Sequence, residues 1–211
     1  MPISQLSIYD WPAEMKRSPH FSVSINGQSV PVCATGVAAF LVIAFEGAIE
    51  FEVSVEAAIQ TAQLRPLSRN ITTRIEDRTV RFRLERADNF SLEIDGLMPL
   101  FVFANAPESA RPEPNDAGVH FFAAEKTHEI GQLEIKSGES VYIEGGAVVR
   151  GVICGADAQN ITIRGHGILD GSLWQHDNDA HYSVLWEKCR CSARRHRDDS
   201  PVDVDGDGGA V

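Results

Sequence analysis

Positive charge is scarce in this chain: across 211 residues, 19 lysines and arginines face 30 aspartates and glutamates, giving a net charge of −11. An acidic protein is repelled by nucleic-acid phosphates and by anionic lipid, so neither nucleic acid nor membrane is expected as a partner. No cluster of Lys or Arg stands out before Lys188, which argues against a polyanionic substrate and favours neutral or weakly charged ones. Cysteine is also rare. Cys33, Cys154, Cys189 and Cys191 follow no framework spacing and are expected as reduced thiols. Cys189-x-Cys191 lacks the second pair that a four-ligand zinc site needs. Long apolar runs are missing too. Met1 to Pro12 has neither a basic start nor an apolar stretch like that of a signal peptide, so a cytoplasmic location is the expectation.

A sustained helical period is equally absent, and period-two alternation takes its place. Phe21, Val23 and Ile25 face one way while Ser22, Ser24 and Asn26 face the other. Asn26-Gly27 then suits a type I′ hairpin turn, because both residues tolerate positive φ. Phe40 to Phe45 is continuously apolar, as in a strand covered on both faces. Ile49, Phe51, Val53 and Val55 alternate with polar residues, as do Val80, Phe82 and Leu84; Leu92-Glu93-Ile94 and Leu100 to Phe103 follow. Short strands separated by turn signals predict an antiparallel β-sandwich over residues 20–106, after an N-terminal extension at 1–19. Ala57 to Leu64 leaves open a turn or two of helix. Three prolines between Pro107 and Pro114 mark residues 107–118 as a linker.

From Val141 the text changes. Val141-Tyr142-Ile143, Val148-Val149, Val152-Ile153-Cys154, Ile161-Thr162-Ile163 and Ile168-Leu169 are too short for helices, and each is bounded by glycine. The alternating triplets begin at Val141 and Ile161, a spacing that suggests a coil in which each turn lays its strands on the turn below. Tyr142 to Gly151, followed by Asn160 to Gly171, resembles the opening rungs of right-handed β-helix glycoside hydrolases. The polygalacturonase-like and dextranase/isopullulanase-like groups are the nearest in pattern, and the second fits better because it too places a sandwich before the coil. The resemblance implies a hydrolase of glycosidic bonds, with the sandwich as a helper domain.

Candidate chemistry is sparse. Glycoside hydrolysis needs two carboxyl groups flanking the anomeric centre. No such pair lies on a patterned strand, and no catalytic residue is assigned. Gly165-His166-Gly167 reads as a corner whose glycines make the turn, and Asp170 as an acceptor for corner amides. Trp174, His176, Asp177, His181 and Trp186, with Asp179 and Tyr182 among them, form an aromatic and polar cluster suited to sugar rings and hydroxyls, and are the substrate-binding candidates. No metal site is expected: His176 and His181 lack a helix to align them, and the Asp203-Val204-Asp205-Gly206-Asp207-Gly208 run has no bidentate acid at the twelfth position of a calcium loop.

The expected fold is all-β: an N-terminal antiparallel β-sandwich followed by the first rungs of a right-handed parallel β-helix at residues 119–187. Residues 188–211 form an unpatterned tail rich in Arg, Asp and Gly, the expected mark of a shifted reading frame or a truncated gene. The expected function is a β-helix glycoside hydrolase acting on a carbohydrate polymer or oligosaccharide, in a chain lacking the catalytic rungs and needing no cofactor. Self-association through the open end of the coil is also expected. The alternatives are a non-catalytic carbohydrate-binding or structural β protein and a calcium-dependent pectate-lyase-type coil.

Overall fold

The computed structural model describes residues 5–172, 184–187 and 190–191, the last two stretches chiefly through their backbone. The chain divides into two compact units: Ala13–Glu108 belong to the first, together with the residues up to Tyr9, while Asp10–Pro12 join the second.

The first unit is a sandwich. Strands β1 (Gln5–Ile8), β4 (Cys33–Ala34), β5 (Ala39–Glu46), β7 (Ala62–Arg65), β10 (Asp88–Ile94) and β11 (Leu100–Asn105) make one sheet. Strands β2 (Ser22–Ile25), β3 (Gln28–Val30), β6 (Ile49–Ser54), β8 (Thr73–Glu76) and β9 (Thr79–Leu84) make the other. Pairing is antiparallel except between β5 and β11, which run parallel. Both sheets contribute to one apolar core, with Leu41, Ile43, Leu92 and Leu100 from the first and Ile25, Phe51, Val53 and Val80 from the second. Phe51 stacks on Phe82 at 4.7 Å between centroids and meets Phe90 edge-on, a geometry that suits the ring quadrupoles.

The local signals work as the residue chemistry dictates. Asn26 and Gly27 both adopt positive φ, 49° and 78°, and turn β2 into β3. Phe40 to Phe45 sits in β5, where Val42 and Ala44 are buried as well as the core-facing Leu41, Ile43 and Phe45. In the segment Ala57 to Leu64, left open to helix, the structure forms no helix: Ala62 to Leu64 begin strand β7 and the residues before them are bends and irregular backbone. Asp95 accepts the amides of Gln60 and Thr61, each at 2.7 Å, and so aligns the chain with β10 instead of closing a helical turn. Gln5–Ile8, ahead of the stretch where alternation begins, adds an edge strand along β5.

The second unit is a parallel coil. Its rungs run β12 (Val119–Phe122) to β13 (Thr127–Glu134), β14 (Ser140–Ile143) to β15 (Val148–Ala156), and β16 (Gln159–Gly165) to β17 (Ile168–Asp170). Strand β12 pairs with β14 and β14 with β16, while β13 pairs with β15 and β15 with β17, all parallel. Neighbours two strands apart in sequence and parallel in every pair define a β-helix. Interior positions stack by type: Val141 against Ile163, Val149 against Leu169, and Leu133 against Ile153. The observed register sets Val141 opposite Ile163, not Ile161. A slip of two residues preserves the face of every side chain, and Asp157 and Asn160, just ahead of Ile161, both adopt positive φ.

Glycine is obligatory at the corner after β16. Gly165 has φ of +123°, and a Cβ there would fall on the carbonyl oxygen of Ile143 in the rung below. Its neighbour His166 is buried in the same corner. Strands β13 and β15 bend together where Gly131 faces Gly151, at a register shift in the pair.

Cys33 and Cys154 are both free thiols. Cys154 is buried but lies on the opposite face of β15 from the interior residue Ile153, and its Sγ receives a hydrogen bond from Gln132 at 3.2 Å. Alternation about Ile153 allows only one of the two neighbours inside.

Candidate functional site

The third rung is interrupted where the candidate residues fall. Strand β17 covers the first part of β15, ending with Asp170 opposite Arg150, and β18 (Val184–Glu187) resumes on the same neighbour with Val184 opposite Ile153. In the rung beneath, Gly151 and Val152 bridge that gap; here Gly171 to Ser183 stand in their place. Trp174, His176, Asp177 and His181 lie outside the described residues. Trp186 is placed by its backbone opposite Gly155. Strand β19 (Arg190–Cys191) pairs with β16 and carries the coil past residue 188, into the stretch read from sequence as unpatterned tail.

A charge ladder fixes the point where the chain leaves the sheet. Cross-rung register sets Glu129, Arg150 and Asp170 side by side. The Arg150 guanidinium donates to Asp170 Oδ2 at 3.1 Å and to Glu129 Oε1 at 3.1 Å, while the Ser172 amide donates to Asp170 Oδ1 at 2.9 Å. Burial disfavours the Asp170 carboxylate, but the Ser172 and Arg150 hydrogen bonds outweigh it and hold the group below its ordinary range. A carboxylate so held stays ionised at neutral pH. It can anchor a loop but cannot serve there as a proton donor.

The other carboxylates tied to the coil corners are also engaged. Glu144 accepts from Arg111 at 2.8 Å and from the Ala124 amide at 2.9 Å. Glu139 accepts from the Lys136 amide at 2.9 Å and meets His120 at 3.1 Å, and these donors hold it below the usual carboxylate range. Arg111 lies over the Phe121 ring and Arg164 over Tyr142, at 5.0 Å and 5.4 Å from the centroids. Arg164 also donates to the Ala110 carbonyl, so part of the proline-rich stretch is tied to the coil's outer face. Among the described residues no group of three His, Cys, Asp or Glu side chains is placed to hold a metal ion.

Comparison with known proteins adds the fold. No protein-family model matches the chain, and no curated protein matches it in sequence. Among solved structures it is similar to Dex49A from Penicillium minioluteum, a dextranase of glycoside hydrolase family 49 with a β-helix fold. The TM-score is 0.64 at 12% identity, over 89% of this chain and 54% of that one. The likeness shows the fold alone. This chain spans about half the length of that structure.

Sequence reading found the coil and singled out the segment that interrupts its third rung. It missed the Glu129–Arg150–Asp170 ladder, because those residues are some twenty positions apart and only the cross-rung register unites them.

Proposed function

We propose that the protein is a β-helix carbohydrate-active protein of the glycoside hydrolase type. Its substrate is a neutral polysaccharide or oligosaccharide, and the described residues supply the sandwich and opening rungs. The observation that carries this reading is the parallel coil after a sandwich, in the arrangement shared over 89% of the chain with a dextranase structure. Trp174, His176, Asp177, His181 and Trp186 are the proposed substrate contacts: aromatic faces for sugar rings, with carboxylate and imidazole for hydroxyls. The break between Asp170 and Val184 supports their placement, since it gives that segment a rigid base on each side. Hydrolysis would need two carboxyl groups, and we assign these to rungs beyond the described ones, because the described corner carboxylates are committed to arginine and amide donors.

A non-catalytic carbohydrate binder is the second reading, favoured by that same commitment of the corner carboxylates. Affinity electrophoresis in dextran and pullulan, paired with a reducing-sugar assay, tests both readings. Retention of the 211-residue chain without product fits either reading. Product formation would place a competent carboxylate pair within this chain and remove the binder. Neither retention nor product on either polysaccharide would sink both.

A further inference from the structure

The sandwich carries a site of its own. The connection from β7 to β8 and that from β9 to β10 cross between the two sheets at one end, and a surface pocket of about 500 Å³ opens between them. That volume lies within the range of small-molecule sites and far exceeds what one simple anion fills.

Arg69, Arg83 and Arg86 line the pocket, with Glu85 and Asp88 as its carboxylates. Two of the three arginines have carboxylate partners and the third has none. Arg83 is taken up by Glu85 at 2.7 Å and Glu50 at 3.1 Å. Arg69 Nε lies 2.7 Å from Asp88 Oδ2, yet that N–H is not aimed at the oxygen and is buried without a hydrogen bond. Arg86 is exposed and enters no ion pair among the described residues. In the same pocket, Asn70 and Thr72 present an amide and a hydroxyl, and Ile71 adds an apolar surface.

We infer that this pocket binds a carboxylated sugar. The Arg86 guanidinium takes the carboxylate through paired N–H donors, which match its two oxygens. Asn70 and Thr72 exchange hydrogen bonds with ring hydroxyls, and the ring face rests on Ile71. The choice of a sugar as carrier of the carboxylate rests on the carbohydrate reading above; the pocket and its spare cation do not.

The test is calorimetric titration of the full chain with trigalacturonate, with isomaltotriose and inorganic phosphate at matched ionic strength as the other arms. Trigalacturonate is expected to saturate at about 1 mM or tighter, with affinity falling as salt rises. Arg86→Gln weakens it about tenfold, whereas Arg78→Gln, an exposed arginine outside the pocket, leaves it unchanged. Three results would overturn the inference: no saturable binding of trigalacturonate, binding indifferent to Arg86→Gln, or phosphate binding as well as the trisaccharide. Failure here with retention on dextran intact would remove this pocket and leave the proposed function standing; the reverse pattern would do the opposite.

Discussion

Replacing Ile153 by alanine tests the coil at its most constrained point. Ile153 is fully buried, belongs to the coil's interior cluster, and is stacked between Leu133 of the rung below and Val184 of the rung above. The change removes three carbons, worth roughly 2.5 kcal/mol in transfer free energy. Partial collapse of the cavity between two fixed rungs raises the cost to about 3–4 kcal/mol. The chain's three tryptophans, Trp11, Trp174 and Trp186, all belong to the coil unit by sequence position, and none belongs to the sandwich. Tryptophan emission during urea denaturation therefore follows the unit that carries the mutation. With a urea dependence of about 1.5 kcal/mol per molar, the emission midpoint should fall by about 2 M. Cys154→Ser, one position along and on the opposite face, should cost about 1 kcal/mol. If Ile153→Ala cost less than Cys154→Ser, the interior register assigned to β15 would be wrong.

Other consequences are as direct. Gly165→Ala should destabilise by more than about 3 kcal/mol, since the backbone is left-handed and the methyl meets the Ile143 carbonyl; Gly27→Ala, also at positive φ but facing open space, should cost about 1 kcal/mol. Comparable losses in the two denaturation curves would contradict the corner geometry. The folded-state pKa of Asp170 lies below its unfolded value of about 3.8. Its contribution to stability is therefore complete above pH 4 and disappears as pH falls through the folded value. Arg150→Leu should cost about 1 kcal/mol at pH 7, because the ladder is partly exposed, and clearly less at pH 2, as read from thermal melts. An equal loss at both pH values would show that Arg150 acts by packing alone.

Much of this architecture could be read in the residues because one period determines it. Alternation in Phe21 to Ile25 and Ile49 to Val55 carries the sandwich strands directly, and Asn26-Gly27 carries a turn that only such residues accommodate. Glycines 151, 165 and 167 mark corners because the neighbouring rung leaves no room for a side chain. The register itself was not legible to within two residues, since a slip of two costs no change of face. Nor was the arginine-lined pocket, whose Arg69 and Arg83 to Arg86 come together through two inter-sheet crossings. Composition counts cations along the chain, and folding gathers them across it. The same holds for Arg150, whose partners Glu129 and Asp170 sit one rung away on either side.

The carbohydrate reading is tested most directly by titrating isomaltotetraose into the chain and following tryptophan emission. Sugar stacking on Trp174 and Trp186 predicts a saturable shift that disappears in the Trp174→Phe/Trp186→Phe double variant, where only Trp11 still reports. No saturable change in the parent chain, or a shift that survives in the double variant, would contradict the account.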